Sequence, residues 1–306
     1  MKKSLALLTD LAQKDKDVLL VVGDLGFSLF DDFRQKCPNQ FINAGIAEQN
    51  MLSVAAGLAL EGKKVFVYSI ANFPTLRALE QIKNDVAYHH ANVKIISGTG
   101  GLNYGNLGMS HHTTGDLAAL RAIPDIRIYN PGDVYEAQKS IIDAYNHNGT
   151  CYIRIGRCKT NFVHENDHFN VDDFIRIGSG KDVLLFNSGA LLADAKIAYD
   201  LLIKDKIKAS LVSVPLLKPI NNEKMLKLLS EFHYIVTLDE HSVVGGFGSA
   251  VSEIVAQNNI ATHPLIKEIG IPDEPYFEIG DHEYLKDFFG LSGEKIYHSV
   301  LEFIKK

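Results

Sequence analysis

The strongest constraint in this sequence is an alternation, repeated twice, between short continuously apolar runs and longer segments of helical period. In the first half, runs at 18–22, 41–43, 65–70, 93–96, 126–129 and 152–155 are rich in valine, isoleucine and aromatic residues. Continuous apolarity is what a strand covered on both faces requires. Between the runs, residues 5–12, 47–60, 76–89, 117–122 and 134–145 carry helical patterns, with Gly62 and Gly132 at stop and turn positions. This order predicts a mainly parallel open sheet with helices on both faces.

From about Lys159 to Phe174 the chain is polar, rich in His, Asn and Asp, and follows neither period. The alternation then restarts, with strands at 183–187, 209–214, 235–239 and 265–269 and helices at 191–204, 222–232 and 249–257. The predicted class is therefore α/β with two open-sheet domains. A larger one spans 1–160, a linker 161–176, and a smaller one with its own sheet 177–306.

Composition narrows the function. With 46% hydrophobic and 22% charged residues over 306 positions, a well-packed soluble protein is expected. A net charge of -6 gives no global attraction for nucleic acid or anionic lipid, so any phosphate affinity must be local. Cys37, Cys151 and Cys158 are too few and too irregular for a disulfide framework or a four-ligand zinc site. The first residues read as an amphipathic helix rather than a signal peptide, and no apolar run nears the roughly 20 residues that span a bilayer. The expected compartment is the cytoplasm.

Three segments carry chemistry. In Asn43-Ala44-Gly45-Ile46-Ala47-Glu48-Gln49-Asn50-Met51, a strand passes through a glycine turn into a helix. Taken alone, Glu48 is a first-turn carboxylate complementing the helix dipole. It also sits at the C-terminal edge of a strand, where open α/β sheets bind ligands. A carboxyl group partly withdrawn from water there can share a proton with a heterocyclic nitrogen. The second segment, Tyr68 to Gln81, places Phe73 just beyond a strand, a position as suitable for core as for stacking on a flat ligand. The third is the glycine-rich run Gly98 to Asp116, containing Gly105, Gly108, Ser110, His111 and His112. It lacks the G-x-G-x-x-G spacing of a dinucleotide fingerprint. Adjacent histidines point in different directions, so a shared metal is not expected. His112 reads as loop structure; Asp116 either orients a neighbouring element or, the favoured reading, caps the helix that follows.

In this order and spacing, Asp24-Leu25, the Gly45-to-Met51 run and Gly105-x-x-Gly108-x-Ser110-His111-His112 resemble the C-terminal subunits of split transketolases. The resemblance covers essentially the whole chain. It implies that Glu48 hydrogen-bonds the pyrimidine ring of thiamine diphosphate, driving it to the imino tautomer that activates the thiazolium. It implies that Phe73 stacks on that pyrimidine and that Asp24 lies near the thiazolium. His111 would contact the sugar and assist proton transfer, work suited to imidazole. Ser28 and Arg154 would contact the sugar phosphate, with Arg157 competing for the arginine role because the register there is open.

The departures from the family are specific. Leu76 and Leu79 stand where full-length relatives have further aromatics, so that side of the pocket should be aliphatic. Thr99 replaces a phosphate-binding histidine and Leu107 an acidic substrate contact, which leaves the acceptor sugar open. Gly245-Gly246-Phe247-Gly248 in the second domain could cradle an anion at a helix N-terminus but reads better as tight packing, with His241 a weak site candidate. The Gly-Asp-Gly that anchors diphosphate and a divalent metal is missing from the sequence. A separate N-terminal partner holding the diphosphate and Mg2+ (or Ca2+), in an α2β2 assembly, is therefore expected. Alternatives are the β subunit of a 2-oxoacid dehydrogenase, an enzyme acting on an unphosphorylated or nucleotide-linked sugar, a nucleotide-binding oxidoreductase, or a scaffold that keeps only the fold.

Overall fold

Strands β1 (Val18–Val22), β2 (Phe41–Asn43), β3 (Lys64–Ile70), β4 (Val93–Gly98), β5 (Arg127–Tyr129) and β6 (Cys151–Ile155) form the first half of the computed structural model. The structure describes residues 2–70, 72–156, 162–258, 260 and 262–305. In the second half come β7 (Ile175–Ile177), β8 (Val183–Asn187), β9 (Ala209–Ser213), β10 (Leu216–Lys218), β11 (Tyr234–Ser242) and β12 (Leu265–Ile271). The first sheet has the order β10-β5-β6-β4-β3-β1-β2, and the second β12-β11-β8-β9-β7. Strands β1 to β6 pair in parallel throughout, as do β8, β9, β11 and β12. Every residue of β1, β4, β6, β8 and β9 is buried, the environment their unbroken apolar runs demand.

The halves are less separate than the sequence suggests. Strand β10 leaves the second domain and pairs antiparallel with β5, setting Leu216 opposite Tyr129. The second domain's sheet is thus not made of all its strands. Strand β7 pairs antiparallel with β9, so ordered structure begins inside the segment read as linker. One apolar cluster runs through both halves, joining Leu117, Leu120 and Ile128 to Val212, Val214, Leu217 and Phe247.

Helix Glu48–Leu60 buries Met51, Leu52, Ala55, Ala56 and Ala59. That spacing draws one stripe along a 3.6-residue helix, which fixes the helix on the sheet and aims its N-terminus at the strand ends. The expected single helix over 76–89 is instead a 3₁₀ turn, Leu76–Ala78, one α turn, Leu79–Gln81, and a π-helical stretch, Ile82–Ala87. Two helices without an expected counterpart, His282–Phe288 and Gly293–Ile304, close the chain. The second buries Ile296 and Val300 in the cluster formed by Leu192, Ala195 and Leu202. Among the described residues no helix is long and apolar enough to cross a membrane.

Candidate active site

Because β1, β2, β3 and β4 run parallel, the segments that follow them emerge at one edge of the sheet. Asp24 follows β1 with its backbone in the left-handed region (φ 54°). Asn43, at the end of β2, holds that turn: its side-chain amide donates to Asp24 Oδ1 at 2.9 Å. Its oxygen accepts from the Asp24 and Gly45 backbone N–H groups at 3.1 and 3.0 Å. Gly45 itself takes φ 76°, a conformation natural to glycine, and turns the chain into the Glu48 helix. A cavity of 150 Å³ lined in part by Asp24, Phe27, Arg34 and Asn43 opens beside the turn. Ser28, in the same segment, is exposed.

Glu48 is 2% exposed. A buried carboxylate is costly unless its oxygens are bonded. Here Ser69 Oγ, from β3, donates to Oε1 at 3.3 Å, and Arg77 Nη1 donates to Oε2 at 2.8 Å. The Arg77 guanidinium also lies 4.0 Å from the centroid of the Phe73 ring. Phe73 in turn meets the His111 ring edge-on at 5.1 Å, and Tyr104 meets His111 at 5.8 Å. Ser110 Oγ lies 3.0 Å from His111 Nδ1, and Asn72 Nδ2 donates to the His112 carbonyl at 2.7 Å. Glu48 and Phe73 thus flank the Arg77 guanidinium in one slot, and His111, from a third motif, meets Phe73 edge-on.

The second domain holds the glycine-rich run in place. Glu240 Oε1 accepts from the Leu102 backbone N–H at 2.6 Å, and at Gly101 (φ 73°) a Cβ would come within 2.3 Å of that oxygen. His282 Nε2 lies 2.9 Å from the same oxygen. Burial opposes charge on both partners, but each outweighs it for the other: His282 is raised and Glu240 lowered from the ordinary value. His112 is buried, stacks on Tyr276 at 5.7 Å and faces the Gly105 carbonyl, and burial lowers its pKa. Its reading as loop structure fits this geometry.

Arg154 requires a correction. It is 1% exposed, its Nε donates to Asp116 Oδ2 at 2.9 Å, and its Nη2 donates to the carbonyls of Thr113 and Glu240 at 2.7 and 2.9 Å. Burial opposes its charge, but Asp116 and the further acids Asp239 and Glu240 outweigh it. A guanidinium committed to these partners has no free face for a sugar phosphate. Arg157 lies outside the described residues. Asp116 is likewise not a cap: it is the first residue of helix Asp116–Arg121, makes no capping bond, and accepts from Tyr152 Oη as well as Arg154. His241 is fully buried, with Nδ1 2.9 Å from the Ser242 carbonyl. At Gly245 a Cβ would meet Ala118 at 2.6 Å, so that glycine serves close packing between the domains. Among the described residues no group of acids, histidines or cysteines could hold a metal ion.

Leu76 is partly exposed beside Arg77, and no aromatic ring stands at positions 76 or 79. Sequence reasoning assigned no role to Arg77, Ser69, Asn43 or Tyr104. Residues 72–75 form turns ahead of the 3₁₀ turn Leu76–Ala78, so no helical spacing from Phe73 signalled Arg77.

A family model for the transketolase pyrimidine binding domain matches residues 2–161, and one for the transketolase C-terminal domain matches residues 174–296. A subunit of the apulose-4-phosphate transketolase of Phocaeicola vulgatus is 36% identical over 305 residues, covering 98% of this chain and 95% of that protein. The 6-deoxy-6-sulfo-D-fructose transketolase subunit SqwH of a Clostridium species is 33% identical, covering 97% and 91% respectively. Among solved structures, a split-gene transketolase in an inactive beta4 tetramer aligns with a TM-score of 0.86 at 30% identity, covering 99% of this chain and 96% of that one. Fold and matched domains define the pyrimidine-binding and C-terminal half of a thiamine diphosphate-dependent enzyme. The chain belongs to the transketolase family, and within it to the C-terminal subunits of split transketolases.

The slot fits a pyrimidine. Its present occupant, the Arg77 guanidinium, is planar, bears N–H donors, bonds Glu48 and covers a face of Phe73. A flat nitrogen heterocycle needs the same two partners.

Proposed function

We propose that this chain, together with a separate subunit carrying the diphosphate domain, transfers a two-carbon ketol unit from a ketose or ketose phosphate to an aldose acceptor. The observation that carries the reading is the buried Glu48 carboxylate facing the Phe73 ring across a slot already filled by a planar nitrogen group. Thiamine diphosphate, when bound, supplies the carbanion chemistry that a protein side chain cannot. Glu48 would hold the proton shared with the pyrimidine nitrogen, its carboxylate oriented by Ser69 through Oε1. Phe73 provides the stacking face, and Asp24, held by Asn43, borders the pocket at the end of β1. His111 lies across Phe73 with Nδ1 engaged by Ser110, which fixes the ring for contact with the sugar and for moving its proton.

Ser28 is exposed in the Asp24 segment and serves the anionic end of the substrate. An anionic sugar is supported by relatives named for apulose-4-phosphate and for 6-deoxy-6-sulfo-D-fructose. The partner supplies the diphosphate and Mg2+ contacts in an α2β2 assembly within the cytoplasm. The test mixes the purified chain with its partner, thiamine diphosphate and Mg2+ and assays ketol transfer. Transfer by the mixture, negligible transfer by the chain alone, and its loss in Glu48→Ala support the reading. Lipoyl-dependent pyruvate decarboxylation in place of ketol transfer would make the chain a 2-oxoacid dehydrogenase subunit instead.

A further inference from the structure

We infer that Arg77 is an internal occupant of the pyrimidine slot, which the cofactor must displace in order to bind; this deepens the thiamine diphosphate reading and rests on it. The Arg77 guanidinium makes two contacts at once, a hydrogen bond from Nη1 to Glu48 Oε2 at 2.8 Å and a face contact with Phe73 at 4.0 Å. Those are the two contacts proposed for the aminopyrimidine. Two planar groups cannot stack on the same face of Phe73 while bonding the same carboxylate oxygen.

The burial pattern favours an exchangeable occupant over a permanent brace. The Glu48 side chain is 1% exposed, whereas that of Arg77 is 46% exposed. The carboxylate is therefore fixed inside the protein and its cationic partner reaches it from the surface. Arginine suits this duty, because its rigid planar fork both stacks on an aromatic face and bonds a carboxylate. The stem of Arg77 starts in the short 3₁₀ turn Leu76–Ala78, and its backbone N–H bonds the Asn72 carbonyl independently of the side chain. Rotation of the side chain alone clears the slot. Compare Arg154, whose pairing with Asp116 is closed to solvent on both sides, at 1% and 0% exposure. That pair is structural. The Arg77 pair is built to open.

The arrangement solves a problem that the cofactor site creates. A carboxyl group buried to meet a pyrimidine is left without a partner whenever the cofactor is absent, and buried unpaired charge is strongly disfavoured. Arg77 supplies that partner, and the cofactor then competes with it.

Calorimetric titration of thiamine diphosphate with Mg2+ into the chain mixed with its diphosphate-domain partner tests this. Arg77→Ala should bind about tenfold more tightly than wild type, since one charge-assisted hydrogen bond no longer has to be broken. Arg77→Lys, which keeps the charge and loses the planar stack, should fall between the two. Arg77→Gln carries the same expectation as the alanine variant and replaces it if that protein does not fold. Wild type binding normally while Arg77→Ala binds equally or more weakly overturns the displacement, and only that. Failure of both proteins to bind overturns the thiamine reading and this inference together.

Discussion

Glu240 and His282 form a buried pair at 2.9 Å in the second domain, and the Glu240 oxygen that meets His282 also accepts the backbone N–H of Leu102 in the first. One carboxylate thus ties the domain without cofactor residues to the glycine-rich run that carries His111. Its pH dependence follows from the two shifts. His282 is raised above its ordinary 6.5, so its contribution is complete below 6.5 and is lost as pH rises through the raised value. Glu240 is lowered below its ordinary 4.5, so its contribution is complete above 4.5 and is lost as pH falls through the lowered value. The pair should stabilise most between about pH 4.5 and 6.5. Urea unfolding of wild type and His282→Asn across pH 4 to 9 should show the largest difference in that window and a shrinking one above it. A difference that grows steadily with pH contradicts the assignment.

Arg154→Ala should unfold far more easily than wild type. Removing one member of a buried ion pair leaves Asp116 unpaired, a loss of about 3–5 kcal/mol. Chemical denaturation measures this directly. A variant of unaltered stability whose only defect is a raised KM for a phosphorylated sugar would restore Arg154 to the substrate.

His111→Asn should lower the rate of ketol transfer by about 10²-fold, the lower end for general acid–base groups. Its contact with Phe73 is edge-on, so cofactor affinity should stay near wild type. Steady-state kinetics beside a cofactor titration separate the two effects. Equal losses in both would make His111 part of the cofactor pocket alone.

The strands were legible because their chemistry is local: runs buried on both faces must be continuously apolar, and β1 and β8 lie where the pattern puts them. Glu48 was legible for a similar reason, as its glycine turn and helix start are contiguous in sequence. Strand β10 was not, since Leu216 and Leu217 acquire a strand's role only by meeting β5 of the other domain. Arg154 misled because an arginine near a strand end resembles a ligand contact. The corrective signal was its place between Ile153 and Ile155 in a run enclosed by β4 and β5, where burial is unavoidable. Arg77 looks like an ordinary surface cation until the sheet sets the ends of β2 and β3 at one edge, on either side of β1.

Everything proposed for the cofactor turns on Glu48 controlling a proton of the bound pyrimidine. The rate at which deuterium from solvent replaces the thiazolium C2 proton of thiamine diphosphate, followed by NMR in the assembled complex, reads that control without requiring a known sugar. Glu48→Gln, which keeps the size of the side chain and removes its acidity, should slow the exchange by about 10²-fold or more while the cofactor stays bound. Exchange at the wild-type rate in that variant would show that Glu48 has no such control.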